Sequence, residues 1–261
     1  MKNSLIGRSM VLVAVLGVLM STSVQAAEVK VMVSGGFQAA IKLLVPEFER
    51  LTGDKVTLIF GPGVGAAPDT IPNRLKRGES ADLFVMPGWA LDSLIKEGKA
   101  TGRLDLAESR IGVAIRAGAK QPDISTVEKF RRAMLEAKSF GYSDSASGIY
   151  VSTELFKRLG IEKDVMPKGK LVTVGFVGQA VARGEVELGF QQMSELLPIN
   201  GIDIVGPLPP EIQKVTIYSA AVAAGAKEPE EAKALLKFLA STEALPAVKQ
   251  SGLDPVTSGK K

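Results

Sequence analysis

The repetition of one local pattern most constrains how this chain can fold. Three times an apolar run ends in a loop rich in Gly or Ser, and a helical pattern of apolar residues follows. The loops are Ser34–Phe37, Gly61–Gly65 and Ser143–Gly148. Strands that alternate with helices form parallel sheets, and open α/β sheets bind ligands beyond the carboxyl ends of their strands. The repetition therefore predicts an α/β fold in which the three loops point into one cleft.

The chemistry of these loops favours an anionic ligand. The first turn of a helix has N–H groups without an internal partner and the positive end of the helix dipole, and Ser hydroxyls complete such an anion site. Any single loop is better explained by helix capping, but three loops together favour a ligand. The residues expected to bind it are Ser34, Gly35, Gly36, Gly63, Val64, Gly65, Ser143, Ser145, Ser147 and Gly148.

The N-terminus is typical of a secretory signal peptide. Lys2 and Arg8 precede the apolar run Met10–Met20, and the small residues of Val24–Ala26 form a cleavage pattern. We expect cleavage after Ala26 and export of the mature chain to the periplasm. The apolar run is too short to span a bilayer, and no later segment is long and apolar enough, so membrane insertion of the mature chain is not expected.

The composition limits the chemistry. The chain has no Cys and no His, which excludes disulfides, thiolate nucleophiles, zinc–thiolate sites and imidazole bases. The formal net charge is +4 and the Lys and Arg residues are dispersed, unlike those of a nucleic-acid-binding protein. No metal or cofactor is expected. Acid–base chemistry must come from Asp, Glu, Lys or Tyr.

Two residues of the third loop and its helix are candidate catalytic groups. Asp144 lies between two serines at the helix start, where a cap or turn residue would also be expected. Tyr150 follows in the helix, and its hydroxyl could face the cleft or pack inside the lobe.

The order of the strands predicts two lobes. The strand Ser109–Ile115 is entered without a Gly or Ser loop of the earlier kind, so we interpret it as the crossing into a second lobe. The strand Lys214–Ala221 would cross back. The prediction assigns residues 27–108 and 223–261 to the first lobe and residues 109–222 to the second, with the ligand cleft between them. A monomer is expected.

The chain resembles the periplasmic molybdate-binding family, the type II solute-binding proteins of ABC importers, over nearly all of the mature sequence. The resemblance is carried by Ser34, Arg74–Phe84, Ser147–Tyr150, Ala182–Phe190 and Val205–Pro210. It implies a two-lobed periplasmic-binding-protein fold, a small anionic ligand and, for a transport component, an ABC permease as partner.

The expected binding residues depart from the family pattern at two positions. Molybdate binders, as the resemblance implies, hold the oxyanion with a serine from each of the first two loops, with second-lobe amides and with a tyrosine after the GxxxLG strand. Ser34 matches the first serine, but Gly61–Gly65 offers amides without a hydroxyl. The tyrosine position falls on Gln192, which can donate and accept hydrogen bonds. Both changes favour a larger and more irregular anion than a tetrahedral oxyanion.

The resemblance leaves three functions open. An isomerase that shifts the double bond of an unsaturated tricarboxylate by allylic proton transfer has this architecture, and the length, the signal peptide and the altered pocket look like that enzyme. An importer's binding protein for molybdate, tungstate or an organic polycarboxylate is the alternative, and a binding protein that feeds a sensor is the third. The fold serves all three, so it cannot choose among them.

Overall fold

The structure is a computed structural model that describes residues 26–256. The predicted signal peptide, apart from Ala26, lies outside the described residues. The strands are β1 (Glu28–Val33), β2 (Lys55–Phe60), β3 (Leu83–Pro87), β4 (Ala100–Ser109), β5 (Ile111–Arg116), β6 (Phe140–Tyr142), β7 (Gly169–Leu171), β8 (Leu188–Gln192), β9 (Ile202–Pro207), β10 (Thr216–Ala223) and β11 (Asp254–Pro255).

Helices follow most of these strands, as the alternating pattern predicts. They are α1 (Gly35–Thr52), α2 (Ile71–Lys76), α3 (Gly88–Lys96), α4 (Val127–Glu136), α5 (Ala146–Tyr150), α6 (Phe156–Arg158), α7 (Glu162–Val165), α8 (Val177–Ala182), α9 (Met193–Leu196), α10 (Pro229–Leu239) and α11 (Leu245–Gln250). A π-helical turn, Val151–Leu155, joins α5 to α6. Single 3-10 turns lie at Met166–Lys168, Pro210–Ile212 and Thr242–Ala244.

The first sheet has six strands in the order β11-β4-β10-β3-β1-β2. Strand β1 runs parallel to β2 and β3, and β10 pairs antiparallel with β3 and β4. Side chains alternate along each strand, and each face of this sheet packs against its own set of helices. In β1, Val31 and Val33 join the core under α1 and α10, whereas Met32 joins the core under α3.

The second sheet has five strands in the order β7-β6-β8-β5-β9. Strand β6 runs parallel to β7 and β8, and β5 pairs antiparallel with β8 and β9. Its core contains four phenylalanines in edge-to-face contact, Phe130, Phe140, Phe156 and Phe190. Two sheets with their own cores confirm the predicted two-lobed α/β fold.

The chain passes between the two sheets at Arg110, because β4 ends at Ser109 and β5 begins at Ile111. It returns ahead of β10, which pairs in the first sheet. The predicted boundaries placed residues 216–222 in the second lobe, whereas sheet pairing assigns them to the first. Nearly all of β10 is buried, and a strand buried on both faces carries no sequence signal for the sheet that it joins.

Helix α1 continues through Pro46 without ending. Gly53 ends it in the left-handed conformation (φ 81°). Between residues 26 and 256, no helix combines the length and the apolar composition that a bilayer crossing requires.

Truncation of the Phe190 side chain tests the second core. Phe190 is fully buried and contacts the other three rings, so Phe190→Ala should lower the free energy of unfolding by about 3–5 kcal/mol. Urea unfolding followed by circular dichroism measures this loss. Leu171→Ala, at a side chain that is 50% exposed, is the control and should cost less than half as much. Equal losses in the two variants would contradict the assigned core.

Candidate functional site

A cavity of about 210 Å³ lies between the two sheets. The three predicted loops contribute to its lining, together with a fourth loop that contains Thr173 and Phe176, and with Gln191, Glu195 and Tyr218. A volume of about 150 Å³ suffices for a benzene-sized molecule, and drug-sized ligands occupy about 300 Å³ or more. The cavity therefore suits a small molecule.

The first loop presents a buried hydroxyl at a helix start. Ser34 is 3% exposed and precedes the 18-residue helix α1. Its side chain makes no capping hydrogen bond, and its Oγ has no partner among the described residues. Because a buried polar group without a partner is costly, this hydroxyl is suited to a ligand rather than to capping. Gly35 and Gly36 line the cavity beside it.

The second loop contributes backbone rather than a helix start. Gly61, Gly63 and Val64 line the cavity, but α2 begins only at Ile71, where the Thr70 hydroxyl accepts a hydrogen bond from the N–H of Asn73 at 3.3 Å. Ten residues, 61–70, therefore separate β2 from its helix, and the N–H of Ile71 at the start of α2 donates to the carbonyl of Pro62 at 2.9 Å.

The third loop divides into cavity residues and packing residues. Ser143, Asp144 and Ser145 line the cavity, and the Oγ atoms of the two serines lie 2.7 Å apart. Ser147 and Gly148 are buried away from the lining. A Cβ atom at Gly148 would lie 1.7 Å from the carbonyl oxygen of Ser143, so the glycine lets the loop fold against its own helix. Binding by Ser147 and Gly148 is thus not supported by their positions.

Asp144 connects the two lobes. Its Oδ2 accepts a hydrogen bond from the N–H of Ala66 at 3.1 Å. Gly65 has φ +107°, and a Cβ there would lie 2.8 Å from the same oxygen. Gly65 therefore acts by permitting this contact, since it does not itself line the cavity.

Tyr150, the other candidate catalytic residue, lies in the core of the second lobe. Its hydroxyl donates to the carbonyl of Ile212 at 2.7 Å and accepts from a guanidinium nitrogen of Arg158 at 3.0 Å. Burial raises the pKa of this phenol. Tyr150 is not part of the cavity lining, so its geometry fits a structural role.

Gln192 also points away from the cavity, and its neighbour Gln191 takes the expected place. The amide nitrogen of Gln192 donates to the Thr216 hydroxyl at 3.0 Å, whereas Gln191 lines the cavity. Both residues belong to β8. Successive side chains of a strand face opposite sides, so a difference of one residue in counting reverses the face.

Glu195 and Tyr218 are cavity residues that the sequence analysis missed. Glu195 is 6% exposed and Tyr218 is 3% exposed. Burial raises the pKa of the Glu195 carboxyl to about 7 and raises the pKa of the Tyr218 hydroxyl well above its usual value. Glu195 Oε2 accepts a hydrogen bond from the N–H of Gln192 at 3.4 Å at the start of α9. A glutamate at the third helical position is typical of a helix start and does not predict a cavity.

The close approach of these two side chains explains the glycine pair at the start of α1. A Cβ at Gly35 would lie 2.3 Å from Glu195 Oε1, and a Cβ at Gly36 would lie 2.0 Å from the Tyr218 hydroxyl oxygen. The Ser194 hydroxyl donates to the carbonyl of Gly36 at 2.8 Å. The second lobe thus touches the first turn of α1 directly.

Amides and hydroxyls, rather than cationic side chains, supply the hydrogen-bond donors for an anion in this cavity. Within residues 26–256, no Lys or Arg side chain lines this cavity. Arg74 and Arg77 instead pair with Glu79. No cluster of three or more metal-ligating side chains was found in the same part of the chain.

The fold and this site define a two-lobed solute-binding protein whose cavity is built for a small anion. The chain belongs to the bacterial extracellular solute-binding protein family, whose model matches residues 29–254. It is similar to an aconitate isomerase of Pseudomonas sp, with 46% identity over 87% of this chain and 87% of that protein. It is also similar to a molybdate-binding protein of Azotobacter vinelandii, with 28% identity over 92% of this chain and 96% of that protein.

The fold is shared with a solved structure, the periplasmic molybdate-binding protein of Azotobacter vinelandii. The TM-score is 0.72 at 17% identity, over 88% of this chain and 100% of that one. Membership of the family indicates an exported protein with a small anionic ligand and, for a transport component, an ABC transporter as partner.

Substitution of Gly36 tests the close approach of Tyr218. Alanine in place of glycine inside a helix normally stabilises it by up to about 1 kcal/mol. At Gly36 the new Cβ would overlap the rigid Tyr218 ring, so Gly36→Ala should instead destabilise the protein by about 1–3 kcal/mol. Thermal unfolding measures the difference. The control is Gly225→Ala, where no atom lies within 4 Å of the new Cβ, and a loss shared by both variants would refute the overlap.

The buried Glu195 carboxyl predicts a dependence of stability on pH. Its pKa is about 7 in the folded protein and 4.5 ordinarily, so the folded state holds the proton more tightly than the unfolded chain. The stabilisation is complete below about pH 4.5 and is lost as the pH rises through about 7. It amounts to about 3 kcal/mol. Glu195→Gln should remove this loss.

Urea unfolding of the wild type, of Glu195→Gln and of Glu211→Gln at a series of pH values measures this effect. Glu211 is exposed, so its variant should keep the wild-type slope between about pH 5 and about pH 8. The same slope in all three proteins would show that Glu195 titrates normally.

Proposed function

We propose that this chain is an aconitate isomerase, which interconverts cis- and trans-aconitate by allylic proton transfer in the cavity between the lobes. The observation that carries the proposal is the 46% identity to the Pseudomonas enzyme over 87% of both chains. The alignment covers 228 residues, which is more than either lobe contains, so it includes parts of both lobes.

The geometry of the cavity supports a tricarboxylate as substrate. Three carboxylates need donors on several sides, and the Ser34 hydroxyl, the first turn of α1 and the serines of the third loop approach from both lobes. We assign substrate binding to Ser34, Gly35, Gly36, Gly63, Val64, Ser143 and Ser145, with Asp144 as the residue that joins the second lobe to the Ala66 amide. Gly65 permits that contact. We assign substrate binding to Gln191 in place of Gln192.

The reaction requires one proton to leave and another to arrive. A base removes a proton from the methylene carbon of aconitate, and the electron pair spreads over the allylic system and the adjacent carboxylate. Protonation of the far allylic carbon then shifts the double bond. Donors that are fixed before the reaction stabilise the charge that develops on the carboxylate oxygens. No cofactor is needed for this sequence.

The alternative is a binding protein that delivers a molybdate-like oxyanion or an organic polycarboxylate to an ABC permease. The similarity to a molybdate-binding protein over 92% of the chain favours it. Such a protein needs affinity but no base. The absence of a hydroxyl in Gly61–Gly65 disfavours a tetrahedral oxyanion, because one expected donor is missing.

Incubation of residues 27–261 with cis-aconitate, without added metal, distinguishes the two functions. Chromatography over time should show conversion to trans-aconitate, and a heat-inactivated sample is the control. No conversion, together with thermal stabilisation by an anion, would instead identify a binding protein.

We also propose cleavage after Ala26 and a monomer in the periplasm. Mass spectrometry of the exported protein would test the cleavage site, and size-exclusion chromatography would test the monomer.

Loss of the Ser34 hydroxyl should weaken the enzyme. A hydrogen bond to a charged group contributes about 1.5–3 kcal/mol, so Ser34→Ala should lower kcat/KM by about 10- to 100-fold. Ser109→Ala is a matched control, because the Ser109 Oγ is also buried without a partner but lies outside the cavity. Steady-state kinetics of both variants provide the measurement. Equal kcat/KM in the two would remove Ser34 from the site.

A further inference from the structure

We propose that Glu195 carries the proton between the two allylic carbons of the substrate, and that the Tyr218 hydroxyl donates a hydrogen bond to the carboxylate on which negative charge develops. The inference rests on the proposed isomerase function and assigns the base of that same cavity. Neither residue lies in the loops that the sequence pattern singles out.

The two carboxylate oxygens of Glu195 have different surroundings. The N–H of Gln192 donates to Oε2 at 3.4 Å, which holds that oxygen on the side of its own helix. The other oxygen, Oε1, occupies the space that a side chain at Gly35 would need. It therefore lies at the first turn of α1, where the helix dipole favours an anion.

The surroundings of Glu195 suit proton transfer in both directions. Burial is the main cause that raises the pKa of this carboxyl to about 7, and hydrogen bonds from the Gln192 N–H and the Gln191 side chain oppose it. From the first lobe, the facing groups are the start of α1 and the Tyr218 phenol of β10. Phe176 contacts the same space from the start of α8. A base whose pKa lies near the working pH can both take and return a proton efficiently.

Two other carboxylates line the cavity, and neither is as buried as Glu195: Asp69 is exposed and Asp144 is partly buried. Asp144 accepts the Ala66 N–H and is fixed between the lobes, so its protonation would weaken a contact that closes the cavity. Tyr150 is engaged by Ile212 and Arg158 outside the cavity. Glu195 can gain a proton on Oε1 without breaking its hydrogen bond through Oε2.

The proposed step balances with a single base. The Glu195 carboxylate forms an O–H bond as the C–H bond of the substrate methylene breaks, and the released electron pair forms the dienolate. The neutral Tyr218 hydroxyl hydrogen-bonds to the enolate oxygen without giving up its proton. The O–H bond of Glu195 then breaks as a new C–H bond forms at the far allylic carbon, so the carboxylate is regenerated.

Glu195→Gln is a conservative test of this assignment. Glutamine serves at the third helical position of a capping pair as well as glutamate does, so the hydrogen bond to the Gln192 N–H is kept while the base is removed. We expect turnover of cis-aconitate to fall at least about 100-fold. Thermal stabilisation by aconitate should persist, because the donors of the loops are unchanged. Glu211→Gln, an exposed glutamate of the same lobe, is the control and should keep wild-type turnover.

The pH profile separates a catalytic role from a structural one. In the wild type, kcat/KM should rise as the pH increases through about 7, because the base acts as the carboxylate. The residual activity of Glu195→Gln should lack this rise. A rise in kcat/KM caused by titration of the substrate's own carboxyl groups would instead remain in both proteins. Tyr218→Phe should lower kcat, and its kcat/KM should still rise with pH through about 7.

Three results would overturn the inference. Turnover of Glu195→Gln within about threefold of the wild type would exclude Glu195 as the base while leaving the isomerase function intact. A matching loss of turnover and of stabilisation by aconitate would reduce Glu195 to a binding residue. No turnover by the wild type would refute the proposed function, and the assignment of the base with it.

Discussion

The contact between helix α9 and the first turn of α1 is the interaction on which the site depends. The Ser194 hydroxyl holds the carbonyl of Gly36, and Glu195 and Tyr218 fill the space beside the glycine pair. Because α1 belongs to the first lobe and α9 to the second, the same contact joins the lobes and encloses the anion-binding end of the helix. Two missing side chains, at Gly35 and Gly36, make this arrangement possible.

The cavity is built to hold negative charge without a cation. Along residues 26–256 its lining offers hydroxyls, backbone N–H groups and the start of an 18-residue helix, but no Lys or Arg side chain. A helix N-terminus supplies about half a positive charge, and donors inside a site shielded from water act more strongly than exposed ones. A cation near Glu195 would lower the pKa of its carboxyl. Burial without a neighbouring Lys or Arg in the described lining is thus compatible with a base that titrates near neutrality.

Local patterns were sufficient to find the loops, and they failed wherever a contact between distant segments decided the role. Ser34, Ser143 and Ser145 lie in the cavity because each loop follows its strand, which the sequence reveals directly. The prediction chose Gln192, whereas the adjacent Gln191 lines the cavity. The register of β8 is set by its partners β5 and β6, which the sequence pattern does not reveal. Tyr150 and Ser147 lie on a helix whose buried face could not be identified without its neighbours. The binding and catalytic roles of these residues stay predictions.

The sequence by itself determined the alternation of strands and helices, the three loops, the family and the absence of imidazole and thiol chemistry, because these depend on residues close together in the chain or on composition alone. The tertiary structure alone decided that Glu195 and Tyr218 meet at the glycine pair. Residues 35, 195 and 218 lie on three elements from two lobes, and no periodicity links them. Their chemistry also depends on burial: Glu195 follows a helix start in the sequence, and its carboxyl has a pKa of about 7 because it is buried against the first turn of α1 in the first lobe.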